Sequence, residues 1–386
     1  MDPEKPSCIR EGCEATVMYG NSYDNPNIYY MTRFLCSDNL IYIKTGKEDV
    51  LITNSMEEER AEEEACVDRV TSPKNLKNWD SGKDSGFETK SKLIDVVLQD
   101  CGYEDAKVCV DSNFPVGLYK EMNCDVKVVE GLLDERRSVK DSEEIEEIRK
   151  SQESAHASVV RAREILAESN VEDGILLFDG EFLTQGRLKK EILNKLLERD
   201  CYCEGVIVSS GDESAFPHKT GTDSKKIRAG VPIIVDVFPL GRSSRYHGDI
   251  TRTFVKGKPK KEVKEIHEAV LEAQKAALNC LKPGILAAEV DKEVRSVFKR
   301  NGYTQEKNKA NGAEFKHSTG HGIGLEVHEK PRIGKESKYR LSEGNVVAIE
   351  PGLYDKELGG VRIEDVAVIR EDGSEVLGRM NRSMEV

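Results

Sequence analysis

Residues 231–254 read VPIIVDVFPLGRSSRYHGDITRTF. An apolar run leads almost unbroken into Asp236, as in a buried strand, and thirteen residues later Asp249 opens a second run of the same kind. A carboxylate in such a strand is costly unless it is paired or ligated. The pattern predicts strands over 231–238 and 247–256, adjacent in one sheet and presenting both acids to a single cavity.

The same motif type recurs downstream. Glu350 ends the apolar run of AIEPGLY (348–354), where Pro351 and Gly352 stop a strand predicted over 345–350. Glu364 falls inside VRIEDVAVI and reads as mid-strand in a segment predicted over 361–369. Upstream of both runs His321 lies in STGHGIGLEVHE (318–329). Any one of these acids alone reads as a loop cap or a surface ion pair; the set together does not. Four clustered carboxylates without counter-charge repel, and some would stay protonated near neutral pH. Two divalent cations balance four negative charges, and such a pair lowers the pKa of coordinated water and polarises a carbonyl. The ligand set Asp236, Asp249, His321, Glu350 and Glu364 therefore points to a hydrolase. Oxygen-rich ligation with one imidazole and no thiolate favours Mn(II), with Co(II), Fe(II) and Zn(II) as the other choices.

Seven histidines occur, and four crowd around these motifs: His218 in AFPHKT, then His317, His321 and His328. Gly320, Gly322 and Gly324 alternate around the ligand, which permits close backbone approach and positive φ. His156, His247 and His267 read as structural or surface residues, with His247 the one expected nearest the pocket.

The rest of the composition narrows the setting. A net charge of −13 offers no basic face to a phosphate backbone, which argues against nucleic-acid binding. No apolar stretch approaches a membrane span, and MDPEKPSCIREG carries no apolar leader core. The ten cysteines include no CxxC pair and are expected to be reduced and mostly buried, in a cytoplasmic protein.

Length allows two domains. Up to about residue 130, β-rich runs (LIYIKTG, DVLITN, AKVCVDS, VKVVEG) alternate with polar helical stretches at 55–66 and 90–101, the signature of a small α/β domain. The segment 71–90, with the single tryptophan Trp79, reads as a surface loop. Ser142 then stands as the cap of a long amphipathic helix carrying Ile145, Ile148, Ala155, Val159, Ala162, Ile165 and Leu166. The boundary is placed there, with domains at 1–134 and 135–386. Further helices are expected over 184–199, 260–280 and 287–301, and a further strand over 204–209.

These motifs resemble the M24 metallopeptidases, the family of methionine aminopeptidase, Xaa-Pro aminopeptidase, prolidase and creatinase, over residues from about 135 to 375. NIYYMTRF, MEEERA and RRSVKDSEEIEEIRK resemble the creatinase/prolidase-type N-terminal domain. The resemblance implies an α/β (α+β) chain: a C-terminal pita-bread domain and a smaller α/β N-terminal domain. It implies Asp236 on one metal, Asp249 and Glu364 bridging both, and His321 and Glu350 completing the second. His218 and His328 would serve the carbonyl or tetrahedral intermediate, His317 the leaving side of the substrate, and Tyr354 the intermediate. Glu350 would carry the proton, and Arg362 would hold a bridging carboxylate. Compared with the family's usual spacing, Asp236 and Asp249 stand two residues further apart, which bears on the pocket rim rather than on ligation.

The implied activity is hydrolysis of the bond before proline, whose tertiary amide has no N–H and whose ring fixes φ. Xaa-Pro dipeptidase stands ahead of Xaa-Pro aminopeptidase on longer peptides. A metal-free creatinase-like reaction and a non-catalytic binding protein on the same fold are the other classes. The first conflicts with the full ligand set; the second predicts lost ligands and charged tails. A homodimer is a further expectation of the family.

Overall fold

The computed structural model describes residues 8–76, 86–303, 312–378 and 380–386; Trp79 and its segment 77–85 lie outside them. The chain divides into two compact units, Met1–Arg137 and Ser138–Val386.

In the first unit the β-rich runs pair into one six-stranded sheet. Its order is Arg69–Thr71, Asp49–Ile52, Leu40–Thr45, Ala15–Gly20, Val108–Asp111, Val126–Val129. Leu40–Thr45 runs antiparallel to both of its neighbours, whereas Ala15–Gly20 pairs parallel with Val108–Asp111. The helix Phe87–Asp100 buries Leu93, Ile94, Val97 and Leu98 against this sheet, at the three- and four-residue spacing of one helix face. The expectation of ten reduced cysteines fails here, because Cys13 and Cys109 form a disulfide. Cys13 precedes Ala15–Gly20 and Cys109 sits in the neighbouring parallel strand, so pairing at 5.9 Å between Cα atoms is set by sheet register. Ninety-six residues separate the two in sequence, and no spacing signal announces them. The other eight cysteines are free.

The two main sheets of the second unit are each packed on a pair of helices, with three smaller two- and three-stranded sheets beside them among the described residues. Val206–Ser210, Ile233–Val237 and Ile250–Phe254 form an antiparallel sheet with Ile233–Val237 at its centre. The helices Ser142–Glu168 and Gln185–Leu197 share one core with it. The second sheet has the order Glu329–Ile333, Gly320–Gly322, Val346–Ile349, Asp365–Arg370, Gly373–Val376, and shares its core with the helices Lys261–Cys280 and Ala287–Arg300. A hairpin, Gly352–Asp355 and Gly359–Arg362, stands beside it. Among the described residues no helix is long and apolar enough to cross a membrane.

Three local expectations are corrected. The long helix is capped by Asp141 rather than Ser142. Asp141 accepts from the Glu144 N–H at 2.9 Å, and the Glu144 carboxylate accepts from the Asp141 N–H at 3.0 Å. This reciprocal box satisfies two otherwise orphaned donors and outcompetes a serine one residue on. Glu364 is not mid-strand: the segment breaks at Ile363–Glu364 and its halves join different sheets. The Glu364 N–H donates to Thr251 O at 3.1 Å, and its carbonyl accepts from Arg252 Nη1 at 2.5 Å, so the strand Ile250–Phe254 takes over its backbone. The glycines around His321 are not at positive φ. They are needed for close approach: a Cβ at Gly320 would lie 1.9 Å from Ala348 O, and one at Gly322 would lie 2.2 Å from Lys330 O.

Candidate metal centre

A cavity of about 740 Å³ opens in the second unit, and nine of the ten residues given roles from the sequence line it: Asp236, Asp249, His321, Glu350, Glu364, His218, His317, His328 and Arg362; Tyr354, expected at the intermediate, is buried behind the wall instead. Local structure explains how each arrives. Asp236 lies in the central strand opposite Thr251 and Ile207. Asp249 stands one residue before the strand Ile250–Phe254. His321 occupies the middle of Gly320–Gly322, opposite Ala348, and Glu350 follows directly on Val346–Ile349. Glu364 occupies the break between two strands. His218 sits on an exposed turn and His328 at the exposed start of the segment entering Glu329–Ile333.

His321 Nε2 is 3.7 Å from both Asp249 Oδ2 and Glu350 Oε1. One ligand atom each from Asp249, His321 and Glu364 lies within 4.8 Å of the other two. The His321 ring is neutral, since burial, then His328, pushes its pKa down to about 4. Its Nδ1–H donates to Gly322 O at 3.1 Å, which leaves the Nε2 lone pair facing the carboxylate oxygens. A lone pair aimed at anionic oxygens is repulsive. Atoms 3.7 Å apart are too distant for a hydrogen bond, yet close enough to share a cation whose bonds to N and O run to about 2.0–2.2 Å.

The carboxylates make the same point. Burial, then Glu364, raises the Asp249 pKa well above the carboxylate range; burial, then Glu364, does the same to Glu350. Glu364 is pushed up to about 7 by burial and then by Asp236. Arg362 is the cation that pairs within this cluster, on Asp236 Oδ2 rather than on either of the acids expected to bridge, which corrects its expected partner. Four carboxylates against one guanidinium and a neutral imidazole leave the floor short of positive charge, and the donor set of oxygens with one nitrogen fits divalent ions.

Behind the floor runs a chain of hydrogen bonds. Arg362 Nη1 donates to Tyr354 Oη at 3.1 Å, and Tyr354 Oη lies 2.8 Å from His317 Nε2. The His317 Nδ1–H donates to Ser318 O at 2.7 Å, so Nε2 accepts from the tyrosine hydroxyl. Burial, then Arg362, holds His317 neutral at about 3, and burial, then Arg362 opposing it, leaves the Tyr354 hydroxyl up at about 12. Both His317 nitrogens are thus engaged by the protein. Of the remaining histidines, His247 is absent from the cavity wall although its ring is deeply covered, and His156 and His267 lie in the interior away from it.

Sequence reasoning missed several contributors. Thr251 Oγ1 donates to Glu364 Oε2 at 2.7 Å and accepts from Arg362 Nε at 3.1 Å, linking two site residues. Its place two residues after Asp249, pointing to the same strand face, was a usable signal. Lys316 and Arg332 line the cavity as exposed cations, and neither forms an ion pair among the described residues. Lys140 forms a buried pair with Glu329 at 2.6 Å and so tethers the segment that carries His328. No sequence spacing could have paired Lys140 with Glu329.

Comparison with known proteins agrees with this geometry. The sequence pattern of Metallopeptidase family M24 matches residues 146–371, and that of the Creatinase/Prolidase N-terminal domain matches residues 11–150. The Xaa-Pro dipeptidase of Pyrococcus horikoshii is 33% identical over 366 residues, covering 93% of this chain and 92% of that protein. The crystal structure of the prolidase from Pyrococcus horikoshii superposes with a TM-score of 0.77 at 30% identity, over 96% of this chain and 95% of that one. The X-Pro aminopeptidase from Thermotoga maritima gives a TM-score of 0.79 at 26% identity, over 97% and 98%. With its two-sheet cavity, its acid-rich floor and both sequence patterns in register along its length, the chain belongs to metallopeptidase family M24, the pita-bread metallopeptidases, and carries the creatinase/prolidase-type N-terminal domain.

Proposed function

We propose that this protein is a Xaa-Pro dipeptidase that uses two divalent metal ions, manganese first among them, held by Asp236, Asp249, His321, Glu350 and Glu364. The observation that supports the hydrolytic reading is the His321 Nε2 lone pair facing carboxylate oxygens at 3.7 Å, a gap that a shared divalent cation would fill. When bound, the metal pair supplies ionised water at neutral pH and polarises the scissile carbonyl.

The protein's own groups do the rest. His328 and His218 both line the cavity and can donate N–H bonds to the developing oxyanion, the interaction that most often dominates such rate enhancements. Glu350 receives the proton of the attacking water and returns it to the departing proline nitrogen. Arg362 holds Asp236 in place. His317, with both nitrogens engaged, acts through Tyr354 by fixing the direction of its hydroxyl.

The choice of a dipeptide rests on the rim. Lys316 and Arg332 offer counter-charge to a free carboxylate next to proline, whereas the interior of a longer peptide has none there. The relatives named Xaa-Pro dipeptidase support the same choice. The likeness to an X-Pro aminopeptidase favours the alternative, cleavage of longer peptides. A homodimer and a cytoplasmic location complete the reading; the eight free cysteines support the latter and the Cys13–Cys109 bond weighs against it.

The test is to strip the protein of metal, restore Mn(II), Co(II) or Zn(II) separately, and assay Met-Pro and Gly-Pro beside Xaa-Pro-Xaa tripeptides. Turnover of dipeptides alone, highest with manganese, is expected. Turnover of tripeptides in preference transfers the assignment to the aminopeptidase, and no turnover of either overturns it. Lys316→Met with Arg332→Met should raise KM for Met-Pro about tenfold, one lost charge-assisted contact being worth about 1.5 kcal/mol or more, with kcat little changed.

A further inference from the structure

We propose that Gln152, a residue that does not line the cavity, is a positioning residue for the metal centre: it holds the main chain of Asp249 so that this carboxylate meets His321 and Glu364. The proposal rests on the reading of Asp249 as a metal ligand.

Ile250 is the first residue of its strand to pair with Ile233–Val237, opposite Val237, so Asp249 lies just outside the ladder. Its peptide groups need other partners, because buried N–H and C=O groups are almost always bonded. Gln152 supplies both. Its Oε1 accepts from the Asp249 N–H at 2.8 Å, and its Nε2 donates to the Asp249 carbonyl at 2.8 Å. A side-chain amide thus reproduces the paired bonds of a neighbouring strand. The amide cannot be reversed, since Nε2 would then face the Asp249 N–H and Oε1 the Asp249 carbonyl; its second N–H points to His156 Nε2 at 3.3 Å. Burial, then Arg252, keeps His156 neutral at about 4, so that nitrogen is available as an acceptor.

The segment entering Asp249 is docked on the same turn of the Ser142–Glu168 helix. Ser151 Oγ donates to Tyr246 O at 2.8 Å. Gly248 allows the contact, because a Cβ there would lie 2.6 Å from the Ser151 carbonyl carbon and 2.7 Å from the Gln152 nitrogen. Gln152 is 1% exposed on a face otherwise occupied by Ile148, Ala155 and Val159, a position where the helix stripe calls for an apolar side chain. A polar residue in that stripe, with every polar atom directed at one ligand's backbone or at the group that orients it, is explained by positioning.

The experiment titrates manganese into metal-free protein, following bound Mn(II) by electron paramagnetic resonance and isothermal calorimetry. Gln152→Met keeps the volume and removes both bonds. It should weaken manganese binding about tenfold or more, the range for groups that orient ligands from behind, and change the spectrum of the coupled pair. Gln152→Glu keeps the acceptor, loses the donor and should fall between Gln152→Met and the unaltered protein. Ser158→Ala, on the same helix with its hydroxyl bonded only to Ala155 O, should bind as the unaltered protein does. A folded Gln152→Met protein that binds both ions with unchanged affinity and spectrum overturns the proposal. Hydrogen exchange on the unaltered metal-free protein needs no variant to fold: the Asp249 amide should exchange as slowly as those of Ile250–Phe254, and fast exchange there also overturns it. If the unaltered protein itself binds no manganese, it is the reading of the metal centre that fails.

Discussion

Glu364 and Asp365 are consecutive, and both are all but fully buried, at 2% and 1% exposed. Their surroundings are opposite. Asp365 Oδ1 accepts from Arg252 Nη2 at 2.6 Å; its Oδ2 accepts from Gln274 Nε2 at 2.6 Å and from Arg382 at 2.9 and 2.7 Å. Glu364 faces Asp249, Asp236 and Glu350, bonded to the Thr251 hydroxyl and to the Asp249 carboxyl but to no cation among the described residues. One carboxylate has its counter-charge built into the chain; the other stands where the chain withholds it. Consecutive residues of an extended chain point to opposite faces, which lets these two neighbours meet opposite surroundings. Buried charge alone therefore does not mark a site. Buried charge that the protein leaves unpaired does.

The largest effect should follow from removing a carboxylate of the unpaired cluster. Asp249→Ala or Glu364→Ala should abolish manganese binding and lower turnover of Met-Pro by more than about 100-fold, beyond the loss typical of groups behind the ligands. Metal content by elemental analysis and a parallel rate assay check both together. An Asp249→Ala protein that turns over without metal would remove the basis of the comparison.

Cutting into the paired cluster should cost stability instead. Asp365→Ala leaves Arg252 and Arg382 facing an empty position, and Arg252 is itself 1% exposed. Breaking a buried pair in this way costs about 3–5 kcal/mol, read from urea unfolding of the metal-free protein. Glu364→Gln should act in the other direction. Its folded carboxyl value of about 7 lies above the ordinary 4.5, so its ionisation opposes folding at pH 8. Glutamine removes that cost and should stabilise the metal-free protein by roughly 1–3 kcal/mol. Equal and same-signed effects from the two substitutions would erase the distinction between neighbours.

How much of this contrast the sequence disclosed follows from what one-dimensional patterns carry. Asp236 is legible because an apolar run delivers it into a buried strand, Asp249 because it opens the next such run, and Glu350 because Pro-Gly ends its run. The long helix was legible from its apolar spacing, and its cap was misjudged by one residue because Asp141 and Ser142 are both good caps and only the Glu144 partner decides between them. Glu364 was recognised as a site residue, yet its strand was read as continuous, because the break depends on bonds from Thr251 and Arg252 more than a hundred residues away. The Cys13–Cys109 bond was hidden for the same reason. Gln152, Lys140 and the Asp365 cluster act by long-range pairing, which leaves no periodicity behind.

Metal addition should separate the clusters at a smaller scale. Manganese at about one hundred times its dissociation constant should stabilise the unaltered protein by about 2.7 kcal/mol per site. A folded Asp365→Ala protein should gain as much, while Glu364→Ala should gain nothing. Thermal melts with and without manganese measure all three. A loss of the increment in Asp365→Ala would mean that the paired cluster also serves the metal.

The smallest effect, taken per pH unit, concerns acid. The paired cluster is bordered by histidines that must stay neutral: His156, lowered to about 4 by burial and then by Arg252, and His267, lowered by burial, whose Nε2 lies 3.0 Å from Arg382 O. The unfolded chain takes up a proton at the ordinary histidine value of about 6.5, while folded His156 resists it until about 4. The unfolded state therefore binds more protons within that window. His156 leaves stability intact above about 6.5 and withdraws it as the pH falls toward about 4. One proton of difference corresponds to about 1.4 kcal/mol per pH unit. The raised carboxylates of the unpaired cluster titrate with the opposite sign, favouring the fold as they gain protons, but that contribution is common to a variant and its parent. His156→Leu should therefore flatten the acid slope of stability relative to the unaltered metal-free protein, whatever constant offset the substitution adds. Urea unfolding at half-unit steps from pH 7 to pH 4 gives both slopes, and parallel lines would assign the acid sensitivity to groups elsewhere.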